Sequence, residues 1–599
     1  MADHNLHTAA KFGAIARVIP DSPCFIQGRR RLTYGEVDAR TNALANAFLE
    51  GGIARGDRVA VMERNSPEYM ESYLAAQKLA CVPLNVNYKY QGDELRYVLD
   101  DSGASVIVIH ADFLPVLDAI RGRVPGLKQV VVIGPDAHAD PGQGRYSYAR
   151  ALQHRETLEL PWEPPGNDDL LFLLYTGGTT GYPKGVMWDV QLYRENWRIL
   201  APMFKSLLPR LKDAPPSLFS PRGGGSSSPL LRFLQSGLFR WLIAKPAVQR
   251  FAGNLLEKSM RERYAGDLET VAKKAKAARG MPNVTLPACP LMHGTGFLTT
   301  LNAISGGEPV VFLEDKRFDP AELWRTIERE RVRTVVIVGD AFAVPMLEEL
   351  DRHDYDTSSL VMMNSSGVVW SPRIKQALLE RIPQMIVVDS LGASEGLSRS
   401  EPSLSSDGEI QPMRFRLAGH MKVFDENDEE VLPGSDRVGQ LAVSGLIPRG
   451  YWNDPEKTAR TFRTIRGVRY AIFGDMCRVE SDGTLILLGR GSGCINTGGE
   501  KVYPEEVENV IKELPEVGDC AIVGIDDERW GQAISGLVAP AEGREVDVER
   551  VIAHCAEKLA NYKKPKSLFV VDEIPRKDSG KLIYPDIREK VRQLAKRSA

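Results

Sequence analysis

The sequence predicts an α/β protein whose large N-terminal domain contains a small β subdomain and is followed by an α+β C-terminal domain. Three observations support this prediction. Apolar strands alternate with helical segments from Arg31 to Gly134 and again after Pro287, as in parallel sheets covered by helices. Short strands and turns fill residues 408–489, which is typical of antiparallel sheets. With 599 residues, the chain is also too long for one hydrophobic core.

The N-terminal alternation can be followed element by element. LTYGEVDARTNALANAFLEGG has apolar residues at helical spacing and ends at Gly51-Gly52, which is a helix stop. DRVAVM is a short apolar strand, SPEYMESYLAAQKLACV is helical again, and ASVIVIH and QVVVIG are further strands. The loop at 161–169 then leads into an apolar strand at 171–175.

The alternation after Pro287 places candidate site residues at strand ends. VVFLED, TVVIVGD, SLVMMNSSG and QMIVVDSLG are apolar runs that finish in small or acidic residues. Ligands of parallel sheets gather at the carboxyl ends of the strands, so we expect a site there. From residue 493 the helices PEEVENVIKEL and DVERVIAHCAEKLA alternate with the strands CAIVGI and SLFVVDEIP, which is enough chain for a separate domain.

Residues 205–283 interrupt this organisation. SPRGGGSSSP has the composition of a flexible linker, and the segment that follows interleaves Leu, Phe and Trp with charges. Residues 221–264 carry eight Lys or Arg against two Asp or Glu. Two interpretations are open: a membrane-surface contact or lid over an apolar substrate, and an ordinary amphipathic helix packed on its own domain.

Composition narrows the functional classes and the compartment. The formal net charge of −3 gives no basic excess of the kind that nucleic-acid binding requires. The seven cysteines form no CxxC pair, which favours reduced thiols in a cytoplasmic protein. The N-terminus lacks the pattern of a signal peptide, and no segment offers about 18 consecutive apolar residues. We therefore expect a cytoplasmic protein, with the inner membrane as a peripheral contact if the insert binds lipid.

The stretch LLYTGGTTGYPKGVMW, residues 173–188, predicts a phosphate-binding loop. Its glycines let backbone N–H groups approach a phosphate, its threonines add hydroxyl donors, and Lys184 adds a point charge. Lys184 is followed by Gly185, so the GxxxxGK[ST] pattern of P-loop NTPases is absent. By itself the loop is weakly specific, because hairpin turns have similar composition.

Five segments together resemble the adenylate-forming superfamily of acyl-CoA synthetases, luciferases and peptide-synthetase adenylation domains. They are YTGGTTGYPKG, DSLGASEG at 389–396, FGDMCRVESDG at 473–483, LGRGSGCINTGGEKVYPEEVE at 488–508 and PRKDSGKL at 575–582. They stand in the family's order, and LTYGEVDARTNALANAF and KLACVPLNVNY also fit. The fourth segment is similar to that of bacterial acyl-CoA synthetases for long-chain and steroid side-chain acids.

The resemblance implies a domain organisation. Residues 1–489 would form an adenylation domain of stacked αβ subdomains plus a small β subdomain, with the insert at about 205–283. Residues 490–492 would be a hinge, and residues 493–599 a mobile α+β domain. Ser492 stands where the family commonly has a charged pivot residue, and the glycines on either side of it would supply the flexibility instead. Leu391 replaces the family's aromatic residue next to adenine.

The resemblance also implies ATP, Mg²⁺ and CoA as reactants, with three catalytic residues. Lys581 would bridge the carboxylate and the α-phosphate, Glu395 would hold Mg²⁺ together with Thr176, and His293 would seat the carboxylate. A histidine satisfied within a core is the alternative for His293, as a turn residue is for Asp475, which would bind the ribose. ATP would be contacted by Thr176, Gly177, Gly178, Thr179, Thr180, Gly181, Lys184, Ser366, Gly367, Asp389, Ser390, Leu391, Gly392, Ser394, Asp475 and Arg490. CoA would be contacted by Gly498, Gly499, Glu500 and Lys501.

The leading hypothesis is therefore an AMP-forming acid:CoA ligase. Gly294 and Gly296 after His293, the apolar insert and Trp370 favour a bulky apolar acid. An enzyme that forms fatty-acyl-AMP and loads an acyl carrier protein is the main alternative. A luciferase-like oxygenase has no positive support, and a non-catalytic AMP sensor or scaffold should lack the phosphate-loop and lysine residues present here. Partners would be the acid, ATP and CoA, with membrane contact through 221–264 and oligomerisation both open.

Overall fold

The computed structural model describes most of the chain. The described ranges are 7–138, 140, 142, 144–167, 169–176, 183–212, 233, 236–279, 283–366, 370–390, 392–397, 403–404, 414–417, 419–490, 493–497, 500–527, 531–559, 561–576 and 580–598. The predicted linker SPRGGGSSSP lies outside these ranges.

The first part of the chain forms one αβ layer and contributes a hairpin to the next layer. Its helices and strands are α1 (Thr8–Val18), β1 (Pro23–Gln27), β2 (Arg30–Thr33), α2 (Tyr34–Glu50), β3 (Arg58–Met62), α3 (Pro67–Lys78), β4 (Val82–Asn85), α4 (Gly92–Ser102), β5 (Ala104–His110), α5 (Leu114–Asp118), β6 (Gln129–Ile133), β7 (Arg145–Ser147), α6 (Tyr148–Ala151), β8 (Leu170–Thr176), β9 (Lys184–Asp189), α7 (Val190–Arg194) and α8 (Trp197–Leu207).

The first sheet is parallel up to its last strand. Its order is β7-β6-β5-β3-β4-β8-β9, and only the β8–β9 pair is antiparallel among its pairings. The parallel strands are almost wholly buried, which explains their unbroken apolar runs. The predicted helix at 32–52 begins at Tyr34, because Thr33 and Glu36 form a capping box.

The second αβ layer follows the insert helices. This part of the chain contains α9 (Gly237–Ile243), α10 (Pro246–Ala265), α11 (Leu268–Ala278), β10 (Thr285–Pro287), α12 (Gly294–Ile304), β11 (Val310–Phe312), α13 (Pro320–Glu330), β12 (Thr334–Ile337), α14 (Asp340–Arg352), β13 (Met362–Ser366), α15 (Pro372–Arg381), β14 (Ile386–Ser390), β15 (Gly392–Ala393), β16 (Gly396–Leu397) and β17 (Ser403–Leu404).

The second sheet has the order β17-β14-β13-β12-β10-β11-β1-β2, and its strands from β14 to β1 are parallel. An aromatic core joins the two layers. The ring of Tyr73 on α3 lies 4.6 Å from that of Phe297 on α12, and Phe297 also lies 5.0 Å from Phe172 on β8. The stacked αβ arrangement predicted from the sequence is thus confirmed.

The remainder of the chain forms two smaller units. Its elements are β18 (Arg414–Arg416), β19 (Met421–Phe424), β20 (Val438–Ser444), α16 (Pro455–Thr461), β21 (Phe462–Ile465), β22 (Val468–Val479), β23 (Thr484–Arg490), β24 (Ile495–Thr497), β25 (Glu500–Val502), α17 (Pro504–Ile511), β26 (Val517–Asp527), β27 (Gly531–Pro540), α18 (Val548–Lys558), β28 (Ser567–Val570) and α19 (Tyr584–Ser598). Strands β18–β23 make an antiparallel sheet, as predicted for 408–489. Strands β24–β28 make a mixed sheet packed with helices.

Among the helices that the structure describes, none combines the length and the apolar character needed to cross a bilayer.

Candidate active site

The predicted phosphate loop connects β8 to β9 at the carboxyl edge of the first sheet. Thr176, the last residue of β8, stands opposite Lys184, the first residue of β9. Both residues are half-buried at this edge. Five predicted contact residues of the loop lie outside the described ranges, namely Gly177, Gly178, Thr179, Thr180 and Gly181. The loop is therefore held at both ends by a β-hairpin, as a strand-to-loop phosphate site requires.

Lys184 is paired with a carboxylate. Its ammonium donates to Asp454 Oδ2 at 2.6 Å, and this contact raises the pKa of Lys184 and lowers that of Asp454. Asp454 also caps α16, because its Oδ1 accepts from the backbone N–H of Lys457 at 2.9 Å. The Lys184 side chain is one-third exposed, so the pair contributes little to stability and can open.

The segment 449–454, RGYWND, lies along β9 and carries residues that the sequence analysis missed. Met187 donates to the Gly450 carbonyl at 2.9 Å, and the Trp452 N–H donates to the Gly185 carbonyl at 2.8 Å. The hydroxyl of Tyr451 donates to Glu395 Oε1 at 2.6 Å. One short segment thus contacts both the lysine of the phosphate loop and the predicted magnesium ligand.

Glu395 lies in the tight turn of the β15–β16 hairpin, beside Ser394. The indole N–H of Trp188, on β9, donates to the Ser394 carbonyl at 3.1 Å, which holds this turn against the phosphate-loop hairpin. In the described part of the chain no three His, Cys, Asp or Glu residues gather as a metal cage. A carboxylate and the Thr176 hydroxyl nevertheless suit Mg²⁺, which takes few protein ligands and completes its shell with phosphates and water.

Asn85 connects the phosphate-loop strand to His293. This buried side chain donates to the carbonyls of Tyr175 at 2.9 Å and Met292 at 2.6 Å, and its Oδ1 accepts from the Tyr175 N–H at 2.6 Å. His293 follows Met292, is half-buried and precedes α12. Because Asn85 uses its donors and its acceptor on these two backbones, it holds the backbone directly before His293 in place relative to the start of the loop.

The two glycines after His293 serve the chain's own packing, which corrects the prediction that they leave room for an acyl group. A Cβ at Gly296 would lie 2.9 Å from the Cys289 carbonyl, and one at Gly294 would lie 3.1 Å from Leu174. Trp370, expected to favour a bulky acid, is buried in the core of the second sheet. These three residues therefore carry no information on the size of the acid.

The predicted nucleotide contacts fall into two groups, one at neighbouring strand ends of the second sheet and one in the antiparallel sheet. Ser366, the last residue of β13, stands opposite Ser390 of β14, one position after Asp389. Asp475 is buried on β22 and stands opposite Arg490, where β23 ends. The side chains of Asp389, Ser390 and Arg490 are not among the described ones, and Gly367 and Leu391 lie outside the described ranges. Gly392 opens β15.

Lys581 and the predicted CoA residues lie in the C-terminal part of the chain. Lys581 is exposed, directly after Gly580, in the loop between β28 and α19. Glu500 and Lys501 belong to β25, which pairs with β24, but their side chains are not described. Gly498 and Gly499 lie outside the described ranges, so the predicted CoA contacts stay predictions.

A cavity of about 130 Å³ lies at the far end of α12 from His293. It is lined by α10 and α11 residues and by Ser305 and Gly306, just beyond the end of α12. Eleven residues of helix separate that end from His293, which corresponds to roughly 16 Å. This cavity is therefore separate from the candidate site.

The sequence matches two family models. The model described as AMP-binding enzyme matches residues 12–198 and 264–452, and the model of the AMP-binding enzyme C-terminal domain matches residues 506–581. Residues 199–263 fall between the two parts of the first match, and this gap overlaps the predicted insert over residues 205–263. The resemblance inferred from the five sequence segments is confirmed.

Relatives and solved structures cover almost the whole chain. The 3-oxocholest-4-en-26-oate–CoA ligase of Rhodococcus rhodochrous is 33% identical over 95% of this chain and 93% of its own. The medium/long-chain-fatty-acid–CoA/3-oxocholest-4-en-26-oate–CoA ligase of Mycobacterium marinum is 34% identical with the same coverage. The crystal structure of the anthranilate CoA ligase AuaEII in complex with anthranoyl-AMP superposes with a TM-score of 0.76 at 20% identity, covering 99% of this chain and 98% of that chain. The structural likeness supports the fold.

Proposed function

Because the chain belongs to the family of AMP-binding enzymes, we propose that it joins a bulky apolar carboxylic acid to CoA, using ATP and releasing AMP and pyrophosphate. The relatives named above act on a steroid side-chain acid and on medium- or long-chain fatty acids, so the acid is of one of these kinds. The observation that carries the proposal is the set of hydrogen bonds that connects the segments of Lys184, Glu395 and His293 to one phosphate-loop hairpin.

In the first step, a carboxylate oxygen of the acid attacks the α-phosphorus of ATP. The bond from that phosphorus to the bridging oxygen breaks, and pyrophosphate leaves with the electron pair. Negative charge grows around phosphorus, so Lys581 acts between the carboxylate and the α-phosphate while Lys184 leaves Asp454 for the outer phosphates. Glu395 and Thr176 would hold Mg²⁺, which would neutralise phosphate charge.

The nucleoside and the acid are positioned by different elements. Asp475 accepts hydrogen bonds from the ribose hydroxyls, and the strand ends at 366–367 and 389–392 line adenine and the α-phosphate. Arg490 contacts the nucleotide from the hinge. His293, fixed by Asn85 through Met292, orients the carboxylate for attack on phosphorus.

In the second step, the CoA sulfur attacks the acyl carbonyl carbon and AMP leaves, while the thiol proton passes to solvent. The C-terminal domain, residues 493–599, rotates about the hinge at 490–492 between the two steps. Lys581 then withdraws, and residues 498–501 reach the CoA pantetheine.

The substrate class is tested with a panel of acids from acetate to long-chain and steroid side-chain acids. We measure acid-dependent ATP–pyrophosphate exchange and thioester formation with free CoA. Each buried methylene contributes about 0.8 kcal/mol, so kcat/KM should rise at least about tenfold from short to long acids. Acetate or benzoate as the best substrate would contradict the proposal. Exchange without CoA thioester would instead indicate transfer to a carrier protein.

The insert exposes an apolar surface, which we call the insert face. It consists of Leu238 and Trp241 on α9 and Phe251 and Leu255 on α10, each more than half exposed. The C-terminal end of α10 is anchored in the large domain, where Arg263 binds Glu308 at 2.7 Å. The middle of the same helix packs on α8, where Gly253 is buried against Lys205, so the exposed apolar residues stand on a helix that is held in place.

The charge around the insert face favours an anionic lipid surface. The two acidic residues of α10 are paired, Glu257 with Lys205 and Glu262 with Lys274. The basic residues of this region outnumber them, and the Lys245 ammonium lies 4.7 Å from the Trp241 ring. Exposed aromatic residues among cations are typical of helices that lie in the membrane interface. An anionic lipid surface complements both the apolar residues and the positive charge of the insert face.

The membrane contact is tested with Trp241→Ser/Phe251→Ser. Burying an aromatic side chain contributes about 1.5–3 kcal/mol, so binding to phosphatidylglycerol vesicles should fall at least about tenfold in a sedimentation assay. Leu432→Ser is the control, because Leu432 is equally exposed in the β subdomain. Unchanged binding by the double variant would exclude the insert face. A wild-type dimer that the double variant converts to monomer would assign the face to a second copy instead.

A further inference from the structure

The loop that carries Lys581 is fastened from inside the C-terminal domain. The Arg576 guanidinium binds Asp519 through two hydrogen bonds, at 2.7 and 2.8 Å, and also donates to the Gly580 carbonyl at 2.6 Å. The Ile583 N–H donates to the Pro575 carbonyl at 3.1 Å, which closes the loop at its base. Arg576 thus sets the backbone directly before Lys581.

The same loop rests on the large domain. Gly580 has a φ of +75°, and a Cβ there would lie 3.0 Å from the Ala341 side chain and 3.3 Å from the Val338 carbonyl. Only glycine allows this approach without displacing a neighbour. Gly580, the residue before Lys581, therefore packs against Val338 and Ala341, which flank Asp340 at the start of α14.

This contact lies at the proposed nucleotide edge. The N–H of Gly339, just before α14, donates to the Ser365 hydroxyl at 2.9 Å. Ser365 precedes Ser366, which we assign to the adenine strip. The backbone that carries Lys581 thus lies at the carboxyl ends of β12 and β13, on the side of the proposed nucleotide site.

A line of buried charges joins this contact to Arg576. The Lys512 ammonium lies 3.2 Å from Asp519 Oδ1 and 3.9 Å from Asp340 Oδ2. Burial lowers the pKa of Lys512, but Asp519 and then Asp340 outweigh it, so the net shift is upward and the ammonium stays charged. Asp340 Oδ1 accepts from the Ser371 N–H at 2.9 Å, which fixes the carboxylate within the large domain.

Another ion pair between the two domains, Arg352 with Glu542, lies at the exposed rim. Solvent screens such a pair, so it adds little to docking. The Lys512–Asp340 pair is about nine-tenths buried on both sides, where electrostatic interactions are stronger.

We propose that Asp340 is a positioning residue for Lys581. Through Lys512 it anchors the unit formed by Asp519, Arg576 and Gly580 against the start of α14 while the acyl-adenylate forms. This inference rests on the proposed function, because Lys581 acts there in the first step alone. Asp340 should therefore matter for adenylate formation and not for the attack of CoA.

The test uses the full-length Asp340→Asn variant. Asparagine keeps the hydrogen bond from Ser371 and removes the charge that faces Lys512. We expect acid-dependent ATP–pyrophosphate exchange to fall about tenfold, the equivalent of roughly 1.4 kcal/mol. Conversion of purified acyl-adenylate and CoA to thioester should stay within about twofold of wild type. Asp340→Glu, which restores the charge, should recover at least half of the exchange rate.

The matched control is Asp351→Asn. Asp351 lies on the same helix as Asp340, α14, and forms an exposed ion pair with Arg381 of α15, so its loss should change neither rate. Equal losses in both half-reactions, wild-type exchange in Asp340→Asn, or no recovery in Asp340→Glu would each overturn the role of Asp340. Failure of the proposed function is distinguishable, because wild-type protein itself would then show no acid-dependent exchange.

Discussion

Replacing Lys581 with alanine is expected to lower acid-dependent ATP–pyrophosphate exchange about 10²–10³-fold. The reason is the loss of a positive charge where negative charge grows in the transition state at the α-phosphorus. Lys581 is exposed on a loop whose shape depends on Arg576 and Gly580, so the substitution should leave the fold intact. Exchange is measured at saturating acid and ATP, with thermal unfolding as a check on the fold.

A second measurement separates catalysis from damage. Lys581→Ala supplied with purified acyl-adenylate and CoA should form thioester at close to the wild-type rate, because the first step is bypassed. Lys596→Ala is the control, since this exposed lysine on α19 lies in the same domain and outside the proposed site. Exchange at full rate in Lys581→Ala would remove Lys581 from the mechanism.

The second large effect is expected for Glu395→Gln. A glutamine oxygen can still accept the Tyr451 hydroxyl bond, so the variant isolates the negative charge that suits Mg²⁺. Exchange at limiting Mg²⁺ should fall about 100-fold, by analogy with other single groups that stabilise transition-state charge. Higher Mg²⁺ should recover part of the loss, and binding of Mn²⁺ with ATP, followed by water proton relaxation, should weaken in parallel.

Tyr451→Phe is the matched control for this prediction. It keeps the Glu395 charge and removes only the hydrogen bond that orients it, so we expect a smaller loss of about tenfold. The prediction fails if Glu395→Gln retains wild-type exchange and metal binding at limiting Mg²⁺. It also fails if Tyr451→Phe has the larger effect, because the phenol would then be the group that matters.

The strands and helices were predictable from the sequence because buried elements need apolar residues at a spacing that the sequence shows directly. The strand expected at 171–175 is β8, and its apolar run reflects a strand covered on both faces. Helix α2 ends before the glycine pair that predicted its end. These elements are decided by local chemistry and by burial, and both can be read without knowing the neighbours.

The connections between site residues were not predictable in this way. In the sequence, Asn85 is only the last residue of the buried strand β4. Its role depends on hydrogen bonds to the backbones of Tyr175 and Met292, which are distant in sequence. The segment 449–454 has no helical or strand periodicity in its apolar residues. The role of Tyr451 becomes visible only in the structure, where its hydroxyl contacts Glu395. Gly296 was misread because a glycine shows that something approaches closely without showing whether it is a ligand or the chain itself.

The pairing of Lys184 with Asp454 has a consequence for product release. In the proposed cycle, Asp454 competes with pyrophosphate for the ammonium group of Lys184. Because Asp454 belongs to the same chain, its effective concentration is set by the fold and does not fall on dilution. Its place as the cap of α16 keeps it near when Lys184 departs. Lys184 should therefore be bound to Asp454 at the start and at the end of each turnover. This competition shortens the time for which pyrophosphate stays bound.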